Sequence, residues 1–162
     1  MLKLGKLTDY ATVIMTVLAA DPEPVLPAQE LARRTHVAEP TVSKVLKLLA
    51  RAGLVEALRG VRGGYRLARP PERISMAEVI HAMDGPVALT ECATHQSCCG
   101  IEPYCVVRGN WRLISGRIRE TLESVSLAQM AAPMGRSAPG VGAAALPVTF
   151  HKAAATVARR NG

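Results

Sequence analysis

The 162-residue chain has almost no aromatic residues: one Trp, three Tyr and one Phe, 3% in all. A core cannot be built on rings, so it must come from Leu, Val, Ala, Ile and Met, and a 49% hydrophobic content is ample for that. No apolar run reaches the roughly 18 residues that a membrane-spanning helix needs, so no membrane partner is expected. The start lacks the basic and apolar regions of a secretory signal, and a soluble, cytoplasmic protein is the expectation. The four histidines are scattered. No nucleophile elbow or cofactor fingerprint accompanies them, which argues against an enzyme. Gly60, Gly63 and Gly64 lack the Gly-Lys-Ser/Thr ending of a phosphate-binding loop. Cysteine is absent from residues 1–91 and again from 106–162.

All four cysteines, Cys92, Cys98, Cys99 and Cys105, therefore fall within fourteen residues. Such a cluster acts as one unit. Cytosolic thiols are normally reduced, so a ligand role outweighs a structural disulfide. Thiolates are the usual ligands of iron–sulfur clusters and of structural zinc. Five residues separate Cys92 from Cys98 and Cys99 from Cys105. That spacing lets a loop wrap a cluster and does not match the paired C-x-x-C knuckles of zinc sites. Three readings stand: iron–sulfur ligation, a zinc site, or a dithiol switch. Cys98 and Cys99 are adjacent and are not expected to bind as equals.

Charge divides the chain. Residues 1–70 carry eleven Lys/Arg against six Asp/Glu; residues 71–130 carry five against seven; residues 131–162 carry four basic residues and no acid. A basic front half points to a polyanion, most simply nucleic acid. Three regions follow: 1–85, 86–130, and a basic tail at 131–162, rich in Ala, Pro and Gly, with no period and expected to be disordered.

Within the first region, residues 8–20 read as a helix capped by Thr8 or Asp9. Pro27 opens a short second helix over 27–34. A third spans roughly 39–52, with Val42, Val45, Leu46, Leu48 and Leu49 on its apolar side and Gly53 as its stop. Strands over 54–58 and 65–68 flank a glycine-rich turn. A helix over 74–83 follows, with Ser75 as its cap. A long helix over about 104–128 repeats Val107, Trp111, Ile114, Ile118, Thr121 or Leu122, and Val125 in a coiled-coil-like seam.

The fold class is therefore mainly α with a small β-hairpin wing: a winged helix-turn-helix followed by a long dimerisation helix. In that arrangement the third helix enters the major groove by its N-terminal residues. Thr41 and Ser43 can bond phosphate or base, Lys44 and Lys47 can neutralise phosphate, and Arg59 and Arg62 make the wing tip a slim cationic finger.

The start Leu4-Gly5-Lys6-Leu7-Thr8-Asp9-Tyr10-Ala11, the wing from Arg59 to Ala68, the segment Ile74 to Ile80, and the cysteine loop followed by Trp111 together resemble the Rrf-two family of winged-helix regulators. The resemblance covers about residues 1–130. Glu91-Cys92, Gly100-Ile101-Glu102 and Arg108-Gly109-Asn110-Trp111 look most like the branch that regulates the Suf cluster-assembly operon. The resemblance implies a homodimer with crossed long helices, bound to a double-stranded DNA operator. It implies an iron–sulfur cluster, 2Fe–2S in preference to 4Fe–4S, and repression of iron–sulfur assembly genes. Cys92 and Cys105 map as ligands; Cys98 and Cys99 each keep one of the two spacings expected of the middle ligand. Arg108 stands where Isc-type members have a histidine ligand. Asp9 matches the aspartate that the partner subunit supplies in nitric-oxide-sensing members, and a helix-cap role is its alternative. His95 and Glu102 are further candidates. The alternative function is a zinc-stabilised or thiol-redox-sensing winged-helix regulator.

Overall fold

The computed structural model describes residues 4–20, 25–60, 63–90, 93 and 104–132. Cys92, Cys98, Cys99, Arg62, His95, Glu102 and the tail beyond residue 132 lie outside the described residues. The order is α1 (Lys6–Ala20), α2 (Ala28–Thr35), α3 (Glu39–Arg51), β1 (Val55–Leu58), β2 (Gly64–Leu67), a 3-10 turn (Pro71–Arg73), α4 (Met76–Asp84), α5 (Arg108–Ser124) and α6 (Leu127–Ala131).

The core is aliphatic, as the composition requires. Ala11, Ile14, Met15 and Leu18 form one stripe of α1 and are buried against Val42, Val45, Leu46 and Leu49 of α3 and Val79 of α4. Their spacing of three or four residues places them on one helix face. Full burial of each large aliphatic side chain contributes about 1.5–3 kcal/mol. The cap expected at Thr8 or Asp9 is not there: α1 starts earlier, and the Asp9 N–H donates to the Gly5 carbonyl at 3.1 Å. The Thr8 hydroxyl instead donates to the Asp84 carboxylate at 2.6 Å, across to the end of α4.

The tight connection after α2 is made by His36, the one non-glycine residue with positive φ (55°) among those described. It costs of order 1–2 kcal/mol relative to glycine. Gly53, at φ +70°, ends α3 as expected. The hairpin pairs antiparallel, with Val55 opposite Leu67 and Leu58 opposite Gly64. Leu26 exchanges backbone hydrogen bonds with Tyr65 at 2.9 and 3.0 Å, so the α1–α2 connection adds a bridge to the hairpin. A Cβ on Gly64 would lie 2.6 Å from the Leu26 carbonyl oxygen, which fixes glycine there.

Ser75 caps α4 as expected, in a capping box: its hydroxyl accepts from the Glu78 N–H, and the Ser75 N–H donates to the Glu78 carboxylate. The expected helix over 104–128 is shorter and broken. It runs Arg108–Ser124, Val125 is extended, and Ser126 opens α6 in a second capping box with Gln129. The break is imposed from α4. The Met76 N–H donates to the Val125 carbonyl at 2.9 Å and the Leu127 N–H to the Ile74 carbonyl at 2.8 Å. Leu127 is thereby inserted, fully buried, into the core around α1. Replacing it with alanine is expected to lower stability by about 2–4 kcal/mol in denaturant unfolding. Met130→Ala on the exposed side of α6 should stay within about 0.5 kcal/mol.

Candidate nucleic-acid interface and cysteine loop

The face of α3 opposite its buried stripe is cationic. Lys44, Lys47 and Arg51 are exposed and follow one another at steps of three and four residues, so they share a row. None of them makes an ion pair with a described residue, and the same holds for exposed Arg59 at the wing. Thr41 and Ser43 are half-buried at the N-terminal end of α3, with no side-chain hydrogen bond to a described residue. Of the expected contacts, Thr41, Ser43, Lys44 and Lys47 are thus gathered on one helix, with Arg59 at the end of β1. Arg51 was missed by sequence reasoning; the same step of four from Lys47 identifies it.

Three acids of this unit, Glu30, Glu56 and Glu78, are paired with arginines close to them in the chain or across the hairpin. Glu30 of α2 accepts from Arg33 and Arg34, both at 2.7 Å, and those hydrogen bonds hold its carboxyl at about 2. Glu56 of β1 pairs with Arg66 of β2 at 2.9 Å. Burial acts to raise the Glu78 carboxyl, but the Ser75 N–H and Arg69 outweigh it and the net shift is downward. Glu39, exposed at the first position of α3, carries a charge of the sign that a helix N-terminus favours. The unpaired cations of α3 and the wing therefore dominate this face, which is the arrangement that phosphate contacts need.

The cysteine loop begins after α4 and ends at the start of α5. Its one described thiol, Cys105, is free and half-buried, three residues before the first residue of α5. Asp9 is exposed on the first turn of α1. Among the described residues no three His, Cys, Asp or Glu side chains converge on one point. Beyond the loop, Val107, Trp111 and Ile114 are exposed along one side of α5, at 44%, 36% and 43%. The seam expected to run on through Thr121 or Leu122 and Val125 divides here, because Leu122 and Val125 pack against the aliphatic core. If the α3 row meets phosphates, Lys44→Ala, Lys47→Ala and Arg51→Ala should each weaken DNA binding regardless of sequence. Each should reduce the slope of log affinity against log salt by about 1 in gel-shift titrations.

Comparison with known proteins agrees with this layout. The Rrf2 family, described as an iron-dependent transcriptional regulator, matches residues 4–133. The transcriptional regulator IscR of Aliivibrio salmonicida is 32% identical over 130 residues, 80% of this chain and 77% of that protein. The solved structure of T. potens IscR superposes with a TM-score of 0.64 at 28% identity, covering 86% of this chain and 94% of that one. CymR of B. subtilis, described as its global cysteine regulator, gives a TM-score of 0.64 at 26% identity over 81% and 97% of the two chains. With a hairpin wing behind a cation-lined third helix and a family match over 130 of 162 residues, the chain belongs to the Rrf2 family: it is a winged-helix, DNA-binding transcriptional regulator and not an enzyme.

Proposed function

We propose that the chain is a cytoplasmic homodimeric repressor of iron–sulfur cluster assembly genes that senses through a bound iron–sulfur cluster. The observation that carries this is the four-thiol window, whose last member, Cys105, is a free, half-buried thiol set at the root of α5. Soft thiolates in a reduced compartment suit iron–sulfur ligation. Cys92 and Cys105, with Cys98 or Cys99 between them, would hold the group, and Asp9 of a second subunit is the proposed fourth ligand. A bound cluster, 2Fe–2S favoured, would supply chemistry that responds to redox state and to iron supply.

The remaining roles belong to this chain's own residues. Val107, Trp111 and Ile114 leave apolar area on α5 that a second copy of α5 would cover. Each subunit presents Thr41 and Ser43 to base edges and Lys44, Lys47, Arg51, Arg59 and Arg62 to phosphates. Region 1–85 would thus read DNA, region 86–130 would sense and dimerise, and the basic tail would add salt-sensitive contacts. Two α3 helices read a palindromic operator only when their separation matches half-sites roughly one helical turn apart. Because α5 is joined to the loop at one end and bonded to α4 at the other, a change in the loop alters that separation and shifts the population of the DNA-competent dimer.

The similarity to a cysteine regulator favours a second reading, a zinc-stabilised or thiol-redox switch at the same loop. Anaerobic purification with an absorption spectrum and iron and sulfide assays separates the two. Brown protein with acid-labile sulfide, losing its colour in Cys105→Ala while keeping its helix content, is the expected result. Protein that stays colourless after reconstitution would move the loop to zinc or thiol chemistry. Ile114→Asp should convert the dimer to a folded monomer in analytical ultracentrifugation and weaken operator binding at least tenfold. An unchanged dimer would remove the α5 face from the interface.

A further inference from the structure

Between α1 and the end of the hairpin, residues 25–67 hold three acids: Glu30 on α2, Glu39 on α3 and Glu56 on β1. Glu30 and Glu56 are bonded to arginines at 2.7 and 2.9 Å. Glu39 is exposed and makes no hydrogen bond or ion pair with a described residue. It is the first residue of α3, the helix whose leading end enters the major groove in this fold. The attraction of a helix N-terminus for its charge is modest and screened by salt. Against DNA an unpaired carboxylate is repelled by every phosphate it meets.

The backbone beside Glu39 is no phosphate clamp either. A helix N-terminus binds phosphate through N–H groups that the helix leaves unpaired. In α3, Pro40 has no N–H to give. The Thr41 N–H is turned back to the Ala38 carbonyl at 2.9 Å. The cations that suit phosphate lie farther along, at Lys44, Lys47 and Arg51. Glu39 stands one turn ahead of Ser43, on the flank of the helix beside that cationic row and not in it. The leading end of α3 is therefore suited to a base edge that donates.

A carboxylate only accepts hydrogen bonds. In the major groove cytosine presents its N4 amino group alone. Adenine presents an amino group beside the N7 acceptor, and guanine and thymine present acceptors. A lone carboxylate thus favours cytosine and is opposed by lone pairs on the other three bases. We infer that Glu39 is a specificity-determining residue: its carboxylate accepts a hydrogen bond from a cytosine N4 amino group in each half-site and penalises registers that bring a phosphate or an acceptor edge to that point. The inference rests on α3 entering the groove by its leading end, and it holds whatever the cysteine loop binds.

The test is selection of duplexes from a random-sequence library by the full-length chain, purified anaerobically. Wild type is expected to enrich a palindromic motif with cytosine fixed at one position of each half-site, and exchanging that base pair should cost about tenfold in affinity. Glutamine bonds adenine N6 and N7 together, so Glu39→Gln should move the selected base at that position from cytosine to adenine. Glu39→Ala should lose the preference there, keep the rest of the motif and bind unselected duplex more tightly, the opposite sign to Lys44→Ala. Glu39→Asp keeps the charge at the helix end but withdraws it by one methylene. It should melt at the wild-type temperature and still lose the cytosine preference. A motif unchanged in Glu39→Gln and Glu39→Ala overturns the proposal, and so does a Glu39→Ala protein that binds all sequences more weakly, as fraying of α3 would produce. Wild-type protein that binds duplex DNA but enriches no motif also overturns it, while leaving the phosphate contacts of Lys44, Lys47 and Arg51 standing. Wild-type protein that binds no duplex refutes the placement of α3 in the groove, and the proposal with it.

Discussion

Two helices of this protein begin at one backbone bridge, and the architecture depends on it. Ser75 and Ser126 pair in antiparallel fashion, and each also caps the helix that follows it, α4 in one case and α6 in the other. A cap makes a helix start at a defined residue, because it satisfies N–H groups that the helix leaves unpaired. Two caps joined by backbone hydrogen bonds therefore fix the end of α5 to the winged helix with little freedom of register. Leu127 completes the joint by entering the core beside α1. Helix α5 is in consequence anchored in the winged-helix unit, and it does not hang from it on a linker.

Electrostatics follows the same division. Arginines on α2, on the wing, just after the wing (Arg69) and on α5 are engaged with glutamates, and these exposed pairs contribute little to stability. Their main effect is on the field. Each pair is locally neutral, while the lysines of α3 and Arg51 make no ion pair with a described residue. The unpaired cations are thus concentrated on α3 and at Arg59.

The parts legible in the sequence were those encoded by near neighbours. The 3.6-residue period gave α3, Gly53 its end, Ser75 the start of α4, and the glycine-rich turn the hairpin to within a residue at each strand. The start of α1 was misplaced because Thr8 looks like a cap, while its hydroxyl goes to Asp84, 76 residues away. The long helix was overextended for a similar reason. Val125 continues the heptad pattern, and only contact with Ile74 and Met76, about fifty residues earlier, makes it extended. Ser115, buried on α5 where it accepts the Leu89 N–H, carried no signal at all, since a serine on a helix reads as surface until the chain segment it faces is known. On the cationic face of α3 the lysines are legible by charge, and Arg51 is not singled out because it sits at the expected end of its helix.

The scarcity of aromatic residues has one more consequence. The single tryptophan, Trp111, lies on the exposed side of α5 rather than in the aliphatic core. Its fluorescence is thus a local probe of the exposed side of α5 and is nearly blind to the packing of the winged helix. Emission from this protein will report what meets that side of α5 long before it reports whether the winged helix has melted.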